Sequence, residues 1–330
     1  MRSEHSLSVL VRTALVGLCF ALTILTPALR ADPVVETLIL FDPAVPETPE
    51  SIRFDRFDNA YITLALTGEI RKVARDGTQS SLAFLPIGAP CGGLFPPPAA
   101  LGLTFDRWDR LYVAVSACDP SNSGIWRVDK DDGTIELLAN APSSSLLNGI
   151  DAHRGFLYAA DTAEGLIWRV PITGGQLEVW ADDPLLKPPP GAGAPGPNGL
   201  RFFRGEIYVA VSATGNIIAI PIEWGGSAGE PRIHATLPPG QGCDEFAIDV
   251  LRRIYCTTDP SNTLVRLDPD GTTEILLTAD DGLDGPTSAT FGRRGRNRKN
   301  LYITNAAFPF YTTTFRPSLM RLRLRVPGAP

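Results

Sequence analysis

Short stretches of alternating apolar and polar residues, each bounded by Gly, Pro, Asp or Asn, fill the chain from residue 35 onward. No long amphipathic helical period interrupts them, so the pattern predicts an all-β chain. In GPNGLRFFRGEIYVA (196–210), the alternation on either side of Arg204-Gly205 predicts two short strands joined by a turn. Asn198 and Gly199 open this hairpin where a strand favours apolar residues. The unit returns as PESIRFDRFDNAYIT (49–63), ALGLTFDRWDRLYVA (100–114), LNGIDAHRGFLYAA (147–160), CDEFAIDVLRRIYCT (243–257) and PTSATFGRRGRNRKNLYIT (286–304). Six of the seven tyrosines, Tyr61, Tyr112, Tyr158, Tyr208, Tyr255 and Tyr302, share one position in it, separated by 51, 46, 50, 47 and 47 residues. Self-similarity at this period predicts a six-bladed β-propeller.

Each unit continues into a third strand, as in GIWRVDKDDG (124–133), LIWRVPITGG (166–175) and TLVRLDPDG (263–271), and then a fourth, such as TIELLANA or TEILLTAD. Four antiparallel strands make a blade. The sixth unit runs out after SLMRLRLRV, while VETLILFD (35–42) is an orphan strand of the missing type, so the N-terminal strand is expected to close the ring and cover a sheet edge.

The first strand of a blade is innermost, and alignment of the six units places Glu50, Leu101, Asn148, Asn198, Asp244 and Thr287 at one register, ringing one end of the channel. Four of them, Glu50, Asn148, Asn198 and Asp244, offer two carboxylates and two amide carbonyls. Facing one another, these groups repel or stay unsatisfied unless a cation sits between them. Oxygen donors without thiolate or imidazole favour Ca²⁺ or Mg²⁺ over Zn²⁺, and a ring drawn from four blades suits the larger Ca²⁺. His153 falls in the first hairpin of blade 3 and reads as a solvated turn residue.

The period, the six blades and this column resemble the family of senescence marker protein, gluconolactonase and diisopropylfluorophosphatase. The resemblance spans the mature chain. It implies that Ca²⁺ or another divalent ion is held by Glu50, Asn148, Asn198 and Asp244, and that the reaction is hydrolysis of a lactone or related ester. Two motifs depart from the family pattern: Glu-Gly becomes Glu50-Ser51, and Pro-Asp-Gly becomes Cys243-Asp244-Glu245. Asp244 is the candidate proton acceptor or nucleophile. Leu101, Thr287, Phe308, Phe310 and Tyr311 are expected to line the substrate pocket, an apolar, aromatic mouth suited to a hydrophobic lactone or ester. The alternative is a non-catalytic secreted propeller that binds a peptide or glycan and carries a structural calcium.

Residues 1–31, with Arg2 and Arg12, an apolar run from Ala14 to Leu25 and Leu29-Arg30-Ala31, read as a secretory signal peptide. Residues 32–330 are then a single domain, secreted or periplasmic and monomeric, with no membrane span after cleavage. The formal net charge of −6, with Lys and Arg gathered only in one turn (Arg293, Arg294, Arg296, Arg298 and Lys299), argues against a nucleic-acid partner. Four cysteines remain in the mature chain. Cys91 and Cys118 are placed where a disulfide would pin a loop of blade 2, whereas the hairpin register leaves the pairing of Cys243 and Cys256 open.

Overall fold

Six four-stranded antiparallel sheets are arranged around a central channel. The computed structural model describes residues 34–89, 98–191, 195–310, 312 and 314–329, so the leader, Cys91 and Tyr311 lie outside the described residues. The innermost strands of blades 1 to 6 are Pro49–Phe54, Ala99–Phe105, Leu147–His153, Pro197–Phe203, Phe246–Ile248 and Pro286–Phe291. Second strands such as Ala60–Leu64 and Leu111–Ser116 are buried throughout, because neighbouring blades cover both of their faces. Fourth strands such as Gln79–Phe84 are mostly exposed, as strands at the perimeter must be.

The last blade takes strands Pro286–Phe291, Asn300–Asn305 and Ser318–Arg323 from the C-terminal end of the chain and its outermost strand, Val35–Leu40, from the N-terminal end. Val35 pairs with Leu322 and Leu40 with Ser318. The orphan strand therefore closes the ring, as the truncated sixth unit implies.

The repeated tyrosine is explained by what its hydroxyl does. Tyr61, Tyr112 and Tyr255 donate to Asp55, Asp106 and Asp249 (3.4, 3.2 and 3.0 Å), the carboxylates that also accept the turn N–H groups of the inner hairpins. Tyr208 reaches Glu206 and Tyr302 reaches Asn297. The ring packs between blades while its hydroxyl ties down a turn.

A second repeated contact joins the blades. Thr63, Ser116, Thr162, Ser212, Thr257 and Thr304, each near the end of a blade's second strand, donate to the carbonyls of Leu101, Leu147, Pro197, Cys243, Thr287 and Glu50 on the next blade's entry. The circuit is complete, with distances of 2.8, 3.4, 2.7, 2.7, 2.9 and 2.9 Å. Each such bond contributes about 1 kcal/mol net, and more is lost if a buried carbonyl is left without a donor.

Ring closure leads to a stability prediction. Deleting residues 34–42 removes the outermost strand of blade 6 and bares the edge of Ser318–Arg323. The melting temperature is expected to fall by about 10 °C or more, on a scale of about 2–4 °C per kcal/mol for a large domain. Calorimetry on the truncated chain checks this, and an unchanged transition would reject the closure as a stabilising element.

Candidate metal centre at the channel mouth

The six column residues lie at the entry ends of the innermost strands, and the local backbone explains why they are not ordinary strand residues. In five blades the ladder between first and second strands slips where the column residue sits: between Pro49 and Ile52, Ala100 and Leu103, Leu147 and Ile150, Pro197 and Leu200, and Pro286 and Ser288. Such bulges free a residue from the pleat and re-aim its side chain. In blade 5 the ladder is irregular too: Asp244 N–H donates to Thr257 O, and Thr257 N–H donates to Glu245 O.

The glycine that follows Asn198 has a steric cause. A Cβ on Gly199 would stand 2.6 Å from Glu245 Cα, one on Gly149 would stand 2.4 Å from Asn198 O, and one on Gly102 would stand 2.5 Å from Asn148 O. Adjacent inner strands approach backbone to backbone here, so the residue before the glycine faces the channel and the glycine itself permits the approach. The Asn-Gly pair is thus a contact requirement joined to a side-chain requirement.

At the same level the other three blades carry Ser51, Glu245 and Ser288. Ser51 Oγ donates to Glu245 Oε2 at 3.0 Å, and Ser288 Oγ donates to the same oxygen. Arg53 and Arg201, one tier further in, reach Glu245 at 3.4 and 3.2 Å. Burial pushes Glu245 upward, but the two guanidinium groups and the Ser288 bond outweigh it and hold the carboxyl at about 2. Burial, followed by the neighbouring Arg201, brings Arg53 down to about 10. Ser51 and Glu245 are therefore partners in one plug across the channel.

Above this plug the acids are unpaired. Among the described residues, five buried side-chain oxygens lack a hydrogen-bond partner: Glu50 Oε2, Ser145 Oγ, Asn198 Oδ1, Asp244 Oδ1 and Asp259 Oδ1. All five belong to the entry strands and loops of this one mouth. Three of them are on expected ligands. Burial is the largest cause that raises Glu50, to about 8, with repulsion from Glu245 and Asp259 adding to it. Asp244 is raised well above the usual carboxylate range by burial, then by Glu50, Asp259 and Glu245, with an Asn198 hydrogen bond opposing. Burial, then Asp284, raises Asp259 to about 7. Orphaned, acceptor-only oxygens on mutually repelling buried carboxylates are the condition a hard divalent cation relieves. Among the described residues, no three His, Cys, Asp or Glu side chains are placed to hold a metal together, so an ion here would rest on the mixed carboxylate–amide set.

The remaining site expectations fall as follows. Asn148 is buried on the same bulge as its counterparts. Leu101 packs with Ala65 and Ala99, and Phe308 and Leu146 lie against that cluster, which gives the mouth an apolar side. Phe308 stacks on Phe310 at 4.9 Å. Thr287 is fully buried and gives its hydroxyl to the Glu50 carbonyl at 2.7 Å, which fixes the backbone of a candidate ligand. Asp259 and Ser145 were not anticipated; the signal for Asp259 was Asp-Pro directly after a second strand, in the loop class that borders the mouth. His153 is half-buried against Phe202, with ring centroids 3.4 Å apart, rather than a solvated turn residue. Cys243 and Cys256 form a disulfide with Cα atoms 5.4 Å apart. The irregular ladder at Asp244 brings them together where a straight register would not. Cys118 is disulfide-bonded as well.

By sequence the chain matches no protein-family profile and none of the curated proteins searched. Solved structures do match it. The gluconolactonase of Xanthomonas campestris superposes with a TM-score of 0.61 at 18% identity, covering 89% of this chain and 90% of that one. Regucalcin of Agrobacterium tumefaciens, a calcium-binding protein, gives 0.64 at 16% identity over 91% and 95% of the two chains. A luciferin-regenerating enzyme gives 0.64 at 16% identity over 90% and 97%. The chain has the gluconolactonase-like propeller fold. At these identities the likeness establishes the architecture.

The raised carboxylates predict a pH dependence in the ion-free chain. A carboxyl whose folded pKa lies above its unfolded value binds more protons folded than unfolded, so stability falls as pH rises between the two values. For Glu50 that window runs from the ordinary value of 4.5 to about 8. With chelator present, the melting temperature is expected to decline from pH 5 to pH 8. Added Ca²⁺ is expected to raise it more at pH 8 than at pH 5, as thermal scans at both pH values would show.

Proposed function

We propose that the chain is a secreted or periplasmic, divalent-metal-dependent hydrolase of lactones or related esters, working at the carboxylate mouth of the propeller. The observation that carries this reading is that the orphaned buried side-chain oxygens of the described residues lie on the strands and loops of that mouth. Glu50, Asn148, Asn198 and Asp244 would hold the ion. A divalent cation supplies Lewis acidity toward a carbonyl oxygen.

The other parts come from the chain. Leu101 and Phe308 offer apolar surface for the carbon skeleton of an ester, and Phe310, stacked on Phe308, extends it. Asp244 presents an unbonded Oδ1 and would accept the proton of the attacking water. Asn198 donates through Nδ2 to Ser212 Oγ at 3.3 Å, while its carbonyl oxygen has no hydrogen-bond partner and would be available to an ion. Ser212 in turn donates to Cys243 O at 2.7 Å, so the orientation of the amide is tied to the backbone that carries Asp244. The Cys243–Cys256 disulfide fixes that same backbone. The gluconolactonase shares the architecture, which is consistent with a small-molecule substrate.

Asp244→Asn separates holding an ion from accepting a proton, since its amide still offers an oxygen but no base. Hydrolysis of a panel of aliphatic and aromatic lactones is expected to fall about 100-fold or more, the scale of losing a general base. Asn198→Asp keeps both oxygen and base and is expected to lose less. Calorimetric Ca²⁺ titration of each variant reports binding independently of turnover. Wild-type protein that binds Ca²⁺ but hydrolyses no lactone or ester would replace this reading with a binding propeller whose calcium is structural.

A further inference from the structure

The end of the propeller opposite the carboxylate mouth has its own chemistry, set by the six inner hairpins. Every one of them carries at least one exposed arginine: Arg56, Arg107, Arg154, Arg204, Arg252 and, in blade 6, Arg293, Arg294 and Arg296. None carries an exposed carboxylate. The acids of these turns are buried and spent on backbone. Asp55, Asp106 and Asp249 accept N–H groups of their own turns, Asp109 accepts Arg56 N–H at 2.9 Å, and Asp58 accepts Arg293 N–H at 2.6 Å. A chain of net charge −6 thus turns a ring of guanidinium groups outward around one channel mouth.

Apolar side chains stand at the tips of the same turns. Phe57 is 50% exposed, Trp108 49% and Leu251 56%, and Trp224, on an outer turn of blade 4 at this end, is fully exposed. Arg56 lies over Phe57 at 4.9 Å and Arg107 over Trp108 at 3.9 Å, which pairs each ring with a cation. Between the hairpins a cavity of about 250 Å³ is lined by three arginines, Arg53, Arg201 and Arg293, against one carboxylate, Asp151, with Thr104, Thr290 and apolar residues around them. The outer turns at this end carry Asp76, Asp131, Asp132 and Asp270, so the positive charge is concentrated around the axis.

We infer that this arginine-ringed end is a peripheral docking surface for an anionic phospholipid bilayer, with the guanidinium groups on headgroup phosphates and Phe57, Trp108 and Leu251 seated at the interface. Separate loop tips that expose Trp, Phe and Leu beside arginine match the amphipathic interfacial zone, where aromatic rings and cations are both satisfied. A purely polar polyanion gives Leu251 and Val250 no reason to be exposed. Docking in this way leaves the carboxylate mouth facing away from the bilayer and open to soluble substrate.

The test is sedimentation of the purified propeller, residues 33–330, which contains every strand of the six blades, with vesicles of phosphatidylglycerol and phosphatidylcholine or of phosphatidylcholine alone. Binding is expected only to the anionic vesicles and is expected to weaken in 0.5 M salt (roughly a 4 Å screening length). The triple variant Arg107→Glu, Arg204→Glu, Arg252→Glu is expected to bind at least about tenfold more weakly. Trp108→Ser with Leu251→Ser is expected to weaken binding with the charge intact. Lys187→Glu, at the opposite end, is expected to leave it unchanged. Matching circular dichroism spectra of all variants separate loss of docking from loss of fold. Equal binding to both vesicle types, no effect of the triple reversal, or binding to a uronate polysaccharide or DNA but not to vesicles would overturn the inference.

Discussion

Six hydroxyl-to-carbonyl bonds, one at each blade boundary, set the geometry on which the channel mouth depends. A propeller blade is a sheet whose contacts with its neighbours are largely apolar and therefore non-directional. Apolar packing such as that of Tyr208, Ala219, Phe246 and Val265 between blades 4 and 5 holds the blades together but tolerates small slides along the axis. The bonds from Thr63, Ser116, Thr162, Ser212, Thr257 and Thr304 remove that freedom, because each ends on a specific carbonyl at or beside a column residue. Four oxygen donors on four blades can share one point only if the blades agree in height.

The second constraint is electrostatic. A channel that holds Glu50, Asp244 and Asp259 at one mouth stores repulsion, and a further buried acid at Glu245 should worsen it. Arg53 and Arg201 prevent this by pairing with Glu245 from opposite sides of the channel. Serine at positions 51 and 288 completes the plug by supplying two O–H donors to one carboxylate oxygen. Glycine at position 51 would leave one of those donors missing. Ser51, Ser288 and Glu245 thus act as one unit beneath the column residues.

Much of this was legible in the sequence because the propeller repeats itself. Tyrosine spacing gave the blade count, the truncated last unit gave the closure, and one shared register placed Glu50, Asn148, Asn198 and Asp244 at the entry ends of the innermost strands. Features outside the period were harder to read. The Cys243–Cys256 pairing depends on an irregular ladder in one blade, and strand alternation carries no mark of such a slip. The Glu245 plug joins residues 192 and 44 positions apart, Arg53 and Arg201, whose charges look like ordinary strand-edge polarity in one dimension. The hydroxyl circuit was within reach, since Ser or Thr follows every repeat tyrosine by two or four residues. Its meaning appears only when the neighbouring blade is in place.

The direction of the inner strands then assigns opposite chemistry to the two ends. Every inner strand starts at the mouth and ends in a hairpin, so a residue type repeated early in the unit becomes a ring at one end, and one repeated late becomes a ring at the other. Oxygen donors are early and arginines are late. The intervening plug, with Glu245 held at about 2 and Arg53 at about 10, stays charged and paired across the whole range in which Glu50 and Asp259 titrate. Protons and cations at the mouth therefore act on a site whose floor does not change its charge. The buried carboxylates are thus separated by that floor from the arginine ring at the other end.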